Sequence, residues 1–180
     1  MSRINESRAF VPVNIAILTV SDSRTTADDG SGDLLVARLT KAGHKLAARA
    51  IVTDERDRIA AQLRAWIADP DIDAIISTGG TGLTGRDVTV EAHRDVYDKE
   101  IEAFGTVFTQ VSMAKIGTSA VQSRACAGVA GGTYLFALPG SPGACKDGWD
   151  EILMWQLDYR HMPCNFVEIM PRLEEHKRRK

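Results

Sequence analysis

The run from Val13 to Val20 limits the possible folds of this chain more than any other stretch. It is almost continuously apolar and rich in β-branched residues, which is typical of a β-strand buried on both faces. Strands of this kind occur in parallel sheets that carry helices on both faces. The run therefore predicts an α/β domain in which the rest of the chain supplies further strands and the helices that cover them.

Strand and helix patterns alternate along the rest of the chain. Further strands are predicted at about 45–52, 74–76 and 133–138, and apolar residues at helical spacing occur at 33–39, 59–67, 101–111 and 149–157. From Val90 to about Ala125 we expect only helix, and a capping box at Ser119 to Gln122 predicts a helix that carries Ser123 and Arg124. Together these patterns predict a single-domain three-layer sandwich with a mainly parallel central sheet and right-handed crossovers.

The chain divides into an arm, one domain and a tail. Residues 1–12 form an N-terminal arm without periodicity, residues 13–170 form the domain, and residues 171–180 form a basic C-terminal tail. Within the domain, the pattern at 149–157 is apolar around much of its circumference. That pattern fits either a subunit contact or a deeply buried helix.

Size and charge indicate a soluble protein of one domain. At 180 residues the chain can bury a continuous core, and a net charge of −2 gives no electrostatic argument for nucleic acid or an anionic membrane. No apolar run approaches the roughly 20 residues of a membrane span, and no signal pattern precedes the domain. Cys126, Cys145 and Cys164 are widely spaced, which favours reduced thiols. We therefore expect a cytoplasmic protein without nucleic-acid or membrane partners.

A glycine-rich loop from Thr78 to Asp87 follows the predicted strand at 74–76. It holds four glycines, and glycine allows positive φ and lets backbone N–H groups approach an anion, usually a phosphate. Arg86 suits a phosphate and Asp87 suits a metal ion that bridges phosphates. We therefore predict a ligand-binding loop, and the alternative is a tight structural turn.

Two known motifs overlap this loop, and neither fits its context. The segment from Gly80 to Gly85 satisfies G-x-G-x-x-G, but no predicted strand follows that could carry the ribose-binding acid of a dinucleotide fold. The same glycines have the spacing of a P-loop, yet Arg86 and Asp87 stand where Lys and Ser/Thr are needed. We therefore exclude both motifs.

Four predicted strands end in polar, acidic or glycine-rich segments. These are Ser21 to Ser23, Thr53 to Asp54, Thr78 to Asp87 and Gly140 to Gly143. In open α/β sheets, ligands bind beyond the carboxyl ends of the strands. If these strands are neighbours, Asp22, Asp54 and Asp87 share one edge with two glycine loops. Carboxylates beside phosphate-binding loops indicate Mg²⁺.

Each of these acids also has a simpler explanation. Asp54 and Asp87 could each cap a helix, and Asp22 could hold a turn. For a single acid the simpler role is at least as good, but for three acids at one edge it is less satisfactory. His93 and His161 have no companion at informative spacing, so we interpret both as packing or surface residues rather than general bases.

Several of these segments together resemble the MoaB/MogA family of molybdenum cofactor biosynthesis proteins, over roughly residues 13–170. The segments are Thr78 to Gly82 with Arg86 and Asp87, Ser21 to Arg24, and Leu138 to Gly143. Similarity to the MoaB branch rests on Ser31 to Leu35, Asp98 to Ile101, and Gly117 to Ser119 with Gln122 to Arg124. The combination of segments is specific, although no single segment would be.

The resemblance implies a molybdopterin-binding fold and a nucleotidyl transfer. In that reaction the terminal phosphate of molybdopterin attacks the α-phosphorus of Mg-ATP, which gives adenylylated molybdopterin and pyrophosphate. Carried over by position, the substrate-binding residues would be Thr78, Gly79, Gly80, Thr81, Gly82, Ser141, Pro142 and Gly143. Asp54 and Asp87 would be the catalytic and Mg²⁺-binding residues. Contacts to nucleotide or phosphate would come from Ser21, Asp22, Arg86, Ser119 and Arg124.

The resemblance leaves two hypotheses for the activity. The first is an enzyme, a molybdopterin adenylyltransferase that uses ATP and Mg²⁺. The alternative is a non-catalytic molybdopterin-binding or carrier protein. MogA-type members form trimers and MoaB-type members tend to form hexamers, so the resemblance implies a homo-oligomer, with a hexamer favoured over a trimer.

Overall fold

Eight β-strands form in the part of the chain that the computed structural model describes, residues 3–178. In chain order they are β1 (Arg3–Ile4), β2 (Asn14–Val20), β3 (Lys45–Val52), β4 (Ala74–Thr78), β5 (Lys99–Glu100), β6 (Cys126–Ala130), β7 (Thr133–Leu138) and β8 (His161–Met162). Six of them form the central sheet in the order β3-β2-β4-β7-β6-β5, and β1 pairs with β8 separately. The pairs β2–β3, β2–β4 and β4–β7 are parallel, whereas β6 runs antiparallel to both β7 and β5.

Helices connect these strands and cover the sheet. They are α1 (Gly30–Lys41), α2 (Arg56–Ile67), α3 (Thr89–Arg94), α4 (Glu102–Ile116), α5 (Pro142–Gly148), α6 (Met154–Gln156), α7 (Phe166–Ile169) and α8 (Glu175–Arg178). A π-helical segment, Trp149–Leu153, joins α5 to α6, and short 3-10 helices occupy Gly117–Gln122 and Met170–Arg172. Within residues 3–178, no helix is both long enough and apolar enough to cross a membrane.

Alternating residues of β2 face opposite layers of helices. Ile15 and Ile17 are fully buried in a cluster with residues of α1, α4 and the helix that starts at α5. Ala16 and Leu18 are fully buried in a second cluster with residues of α2 and α3. Both faces of this strand are therefore covered, which explains its continuous apolar sequence. The predicted three-layer α/β sandwich is confirmed.

The apolar helix near the C-terminal end of the domain is buried by its own chain. Trp149 is 2% exposed, and Leu153 and Leu157 are fully buried, all of them in the cluster that also contains Ile17. Of the two explanations for this pattern, deep burial is therefore the one that the structure shows for these residues.

The segment between Val90 and Ala125 differs from its prediction. It contains the short strand β5 as well as α3 and α4, so the expectation of helix alone was wrong. The capping box at Ser119 does not form, because the 3-10 helix already begins at Gly117, whose φ of 58° ends α4. Ser123 then has extended backbone, with φ −90° and ψ 132°. Arg124 therefore leads into β6, a strand that the sequence patterns missed.

The N-terminal arm lies on the surface of its own chain. Its strand β1 pairs with β8, and Arg8 donates to the Tyr159 carbonyl at 3.2 Å and pairs with Glu168 at 3.3 Å. In the basic tail, α8 ends the described residues, and positions 179 and 180 lie outside them. Elsewhere in the chain, Cys126 and Cys145 are buried and Cys164 is exposed, and the reduced state of these thiols stays a prediction.

Candidate functional site at the carboxyl edge of the sheet

The four parallel strands end side by side at one edge of the sheet. The register places Val20 beside Val52, Thr19 beside Thr78, and Thr78 beside Leu138. The segments that follow β2, β3, β4 and β7 therefore meet at this edge, as the sequence predicted. From β2 the chain continues to β3 on one side, and it then returns to β4 on the other side of β2. Open α/β sheets bind ligands at such a point, where the strand order reverses.

The first half of the glycine loop packs directly against the end of β2. Gly79 has φ 99° and Gly80 has φ 61°, values that L side chains rarely adopt. A Cβ on Gly79 would lie 2.2 Å from the Val20 carbonyl oxygen, and one on Gly80 would lie 2.8 Å from Asp54 Oδ1. Glycine is needed here for both backbone conformation and space, and the Asp54 carboxylate lies against the loop backbone.

The second half of the loop is closed by Asp87. Its Oδ2 accepts hydrogen bonds from the Thr84 amide N–H at 2.8 Å and the Thr84 hydroxyl at 2.6 Å. These bonds, the Gly82 N–H and the charge of Arg124 together lower the pKa of Asp87 despite partial burial. Asp87 is thus a carboxylate at neutral pH. It closes a turn rather than capping α3, whose cap position is Val88 and has no side-chain bond.

Asp22 joins the ends of β2 and β3 to the glycine loop. Its Oδ1 accepts the Asp54 amide N–H at 3.0 Å, and Arg86 donates to both of its carboxylate oxygens at 2.7 Å. The hydrogen bonds from Arg86 and Asp54 lower the pKa of Asp22. Beside it, the Ser21 hydroxyl accepts the N–H groups of Ser23 and Arg24, each at 3.2 Å. Asp22 therefore holds Arg86 at the edge of the sheet.

Asp54 has no cationic partner among the described residues, because the guanidinium of Arg86 pairs with Asp22. Burial raises the pKa of Asp54, and the negative charges of Asp22 and Asp87 act in the same direction. The Asp22 N–H and the Arg86 charge oppose this shift only in part. Asp54 does not cap α2, whose cap position is Glu55. Of the carboxylates at this edge, Asp54 is therefore the one whose charged form a bound cation would stabilise most.

The second glycine loop touches the first. A Cβ on Gly140 would lie 3.0 Å from the Gly79 Cα, and the Gly79 N–H donates to the Leu138 carbonyl at 3.2 Å. Ser141 caps the N-terminus of α5 by accepting the Ala144 N–H at 3.2 Å. Ser141, Pro142 and Gly143 are exposed. The two predicted substrate-binding loops therefore form adjoining parts of one surface.

Both predicted substrate-binding threonines have buried side chains. Thr78 is fully buried, and its hydroxyl donates to the Pro139 carbonyl at 3.0 Å and lies 3.0 Å from the Cys145 thiol. Thr81 is 3% exposed. The Thr78 side chain ties the two glycine loops together, so any ligand contact at these positions falls to the backbone.

Of the other predicted phosphate contacts, one supports the loop and one lies elsewhere. Arg124 donates to the carbonyl oxygens of Thr81, Gly82 and Asp87, each at 3.0 Å. Ser119 is exposed on the 3-10 helix, and among the described residues no hydrogen bond joins it to either loop. The structure therefore brings Arg124 to the site and leaves Ser119 outside it.

Sequence patterns missed residues that shape this edge. Thr89 donates its hydroxyl to the Gly79 carbonyl at 2.8 Å and its amide to the Gly80 carbonyl at 2.9 Å. The Ser31 hydroxyl, in the first turn of α1, donates to the Gly140 carbonyl at 2.7 Å. Asp29, 1% exposed, caps α1 through the Gly32 N–H. An N-cap pattern at Asp29 was available in the sequence, but nothing in it indicated contact with the loops.

A buried chain of polar side chains lies beneath the glycine loop. The ring of His93 is fully buried, with Nε2 2.8 Å from Ser77 Oγ and Nδ1 3.1 Å from the Tyr97 hydroxyl, which lies 3.3 Å from the Cys126 thiol. Burial lowers the pKa of His93 to about 3, so the ring is neutral at pH 7. His93 is a packing residue, as predicted, and His161 lies partly buried on β8.

We expect the free energy of unfolding to fall between about pH 7 and pH 5, partly because of His93. The unfolded pKa is 6.5 and the folded pKa is about 3, so the unfolded chain binds an extra proton in this window. The contribution approaches about 1.4 kcal/mol per pH unit. In urea unfolding, His93→Gln should make the free energy of unfolding depend less steeply on pH. The dependence that remains would include a contribution from His44, whose pKa is also lowered by burial.

The exposed His176 provides the control for this experiment, because His176→Gln should keep the wild-type slope. If His93→Gln also kept that slope, the neutral buried state of His93 would be wrong.

A surface cavity of about 450 Å³ lies away from this edge. It is lined by residues that include Arg94, Gly105, Thr109 and Cys126, near α4 and the start of β6. None of its lining residues belongs to the two glycine loops. We place the candidate site at the sheet edge, because three carboxylates and the loop backbones converge there.

The fold places this chain in a class of α/β domains that a family model describes. The sequence matches the model of the family described as "Probable molybdopterin binding domain" over residues 16–159, and the chain belongs to this family. It is 49% identical over 160 residues to molybdenum cofactor biosynthesis protein B of Escherichia coli (strain K12), covering 89% of this chain and 94% of that protein. The protein of the same name from Bacillus subtilis (strain 168) is 41% identical over 146 residues, covering 81% and 86%.

A solved structure agrees with this assignment. The crystal structure of a molybdenum cofactor biosynthesis protein B superposes with a TM-score of 0.84 at 36% sequence identity, covering 93% of this chain and 99% of that one. The predicted membership of the MoaB/MogA family is confirmed, together with the predicted fold.

Proposed function

We propose that this protein acts in molybdenum cofactor biosynthesis by binding molybdopterin and adenylylating its terminal phosphate with Mg-ATP. One observation carries the proposal: Asp54, which has no cationic partner within residues 3–178, lies against Gly80 of one glycine loop, at the edge that Asp87 and the second loop share. Family membership supports the pterin as substrate. The edge places carboxylates beside the exposed backbone of the glycine loops. A phosphate transfer requires groups of both kinds, to hold the metal ion and to position the phosphates.

The pterin and its phosphate would lie across the two glycine loops. At Gly143 a Cβ would meet no atom within 4 Å from the rest of the described chain beyond its own helical turn, so the backbone at the start of α5 is open to a ligand. Arg86 is exposed and pairs with Asp22 through Nε and Nη2, and among the described residues no hydrogen bond occupies its Nη1, which leaves this group for a phosphate. Backbone N–H groups and a guanidinium are both suited to phosphate oxygens.

Asp54 and Asp87 fit a magnesium ion, and we propose that they hold it. Asp54 has a raised pKa and no cationic partner in the described part of the chain, and the Oδ1 of Asp87 is free of the hydrogen bonds that its Oδ2 accepts. Within residues 3–178, no three His, Cys, Asp or Glu side chains form a complete metal site. Mg²⁺ does not require one, since it binds through one or two carboxylates together with substrate phosphates and water. When bound, the ion neutralises charge on the phosphates.

The chain's own residues would align the reacting groups. A terminal phosphate oxygen of molybdopterin forms a bond to the α-phosphorus of ATP, and the bond from that phosphorus to the bridging oxygen of pyrophosphate breaks. The glycine loops fix the attacking phosphate, while Arg86 stabilises negative charge near the nucleotide. Holding both reactants at one edge supplies the alignment that such a displacement needs.

A direct assay tests the proposal. Purified protein is incubated with molybdopterin and Mg-ATP, and pyrophosphate and adenylylated pterin are followed, with controls that lack pterin or contain a metal chelator. We expect both products only when all three components are present. Tight pterin binding without product would instead support the non-catalytic binding or carrier protein, and absence of pterin binding would contradict both hypotheses.

We also propose a homo-oligomer, a hexamer rather than a trimer. On α4 and the following 3-10 helix, Val107, Met113, Ile116 and Val121 are 40%, 44%, 54% and 77% exposed, and a subunit contact would cover such apolar side chains. Light scattering should give the mass of six 19.6 kDa chains. A mass of three chains would favour the trimer, and a single-chain mass would contradict the proposal.

A further inference from the structure

We infer that Arg124, together with Glu91, is a positioning residue that holds the glycine loop in the shape that presents Asp87. This inference rests on the proposed function, since it assigns Arg124 a task in the same site. It replaces the direct phosphate contact that the sequence suggested for Arg124.

A single guanidinium holds three carbonyl groups of the loop. Arg124 Nε donates to the carbonyls of Thr81 and Gly82, and Nη2 donates to the carbonyl of Asp87, each at 3.0 Å. These carbonyls lie on both sides of the exposed loop tip, which includes Leu83 at 70% exposure. Arg124 therefore fixes the two ends of the tip relative to each other.

Glu91 orients the guanidinium from the opposite side. Arg124 Nη1 donates to Glu91 Oε1 at 2.5 Å, and Nη2 donates to Glu91 Oε2 at 3.3 Å. Glu91 lies on α3, and the first residue of that helix, Thr89, holds the carbonyls of Gly79 and Gly80. The beginning and the end of the glycine loop are thus fixed to the same helix.

This arrangement leaves Arg124 poorly suited to bind a phosphate. Its planar fork presents five N–H donors in fixed directions, and each of its three nitrogens already donates to the loop or to Glu91. Glu91 also places a negative charge beside any anion that approached the guanidinium. A fork that reaches several carbonyls cannot be replaced by the single point charge of lysine.

Arg124→Lys and Glu91→Gln, alone and combined, test the inference. If Arg124 positions the loop, both single variants should lower kcat by about tenfold to a hundredfold, because small displacements of reacting groups are costly. The double variant should lose little more than either single one, since both act through one contact. Amide hydrogen exchange should become faster over residues 79–88 and stay unchanged in β2 and β7.

Arg94→Lys is the matched control. Arg94 lies on α3, as Glu91 does, but its guanidinium pairs with Glu100 at 2.9 Å and does not hydrogen-bond to the loop. We expect wild-type kcat, pterin affinity and hydrogen exchange in this variant. A loss like that of Arg124→Lys would show a general weakening of α3 and would overturn the inference.

A phosphate-binding role for Arg124 gives a different pattern. Lysine would then preserve much of the activity, and Glu91→Gln would leave turnover intact and tighten pterin binding, because a repelling charge is removed. That pattern would overturn the inference. If the wild-type protein makes no adenylylated pterin, hydrogen exchange still decides: faster exchange confined to 79–88 supports the positioning role, and unchanged exchange overturns it.

Discussion

Asp87→Asn is expected to reduce turnover by at least about a hundredfold while leaving molybdopterin affinity close to that of the wild type. The lost negative charge at Oδ1 is the one we assign to Mg²⁺, and the amide that replaces it binds that ion poorly. Pyrophosphate release measures the turnover, and calorimetric titration with the pterin in the absence of ATP measures the affinity. A loss in kcat without a loss in binding would place the carboxylate in the transfer step.

The structure explains why the loop should survive this substitution. The hydrogen bonds from Thr84 reach Oδ2 of Asp87, and the amide oxygen of asparagine can accept both of them in the same position. The substituted –NH₂ group then occupies the position of Oδ1. The variant therefore separates the charge of Asp87 from its role in closing the turn.

Thr84→Val provides the matched control for Asp87→Asn. It removes the 2.6 Å hydrogen bond from the Thr84 hydroxyl but keeps the carboxylate and the backbone bond. We expect this variant to retain most of the wild-type kcat. Near-normal turnover in Asp87→Asn, or an equal loss in Thr84→Val, would contradict the metal-binding role of Asp87.

The position of the candidate site followed from the sequence because buried parallel strands leave a clear pattern. The run at Val13 to Val20 required helices on both faces, and each polar strand end then had to lie at a carboxyl edge. Asp22, Asp54 and Asp87 meet there for that reason. This part of the prediction needed only strand direction and adjacency, which the fold class determines.

The segment that carries Arg124 could not be predicted in the same way. Strand β6 consists of small residues and one valine, and its pairing partners are the neighbouring strands β7 and β5. A local signal for this strand was nonetheless present, because Gly131 and Gly132, both at positive φ, form the two-residue turn that pairs β6 with β7. The apparent capping box at Ser119 was overridden by the chain reversal at Gly117, so Arg124 was placed on a helix that does not exist.

The roles of individual side chains within the site also could not be predicted from the sequence. Thr78 and Thr81 belong to the recognised motif, yet their side chains are buried. The motif cannot distinguish a threonine that binds a ligand from one that binds a neighbouring loop. The partners of Arg86 and Arg124 depend on contacts between residues far apart in the chain, Asp22 and Glu91. Such contacts become visible only when the strands are placed side by side.

Gly79→Ala is expected to cause the largest loss of stability of any substitution in the loop that we consider, on the order of 3 to 5 kcal/mol. The backbone φ of 99° is strained for alanine, and the added Cβ would lie 2.2 Å from the Val20 carbonyl oxygen. Because that oxygen belongs to the backbone of a buried central strand, it cannot move without disturbing the sheet. Urea unfolding should show a lower midpoint with an unchanged slope.

Gly85→Ala is the control within the same loop. A Cβ at Gly85 would meet no atom within 4 Å, and its φ lies outside the positive range, so we expect a change of less than about 0.5 kcal/mol. Equal midpoints for the two variants would mean that Gly79 does not pack against β2 as described. If only Gly79→Ala is destabilised, the loop's position is set by contact between its backbone and the central strands. In that case the placement of Asp54 against Gly80 follows from the packing of the fold and does not require a bound ligand.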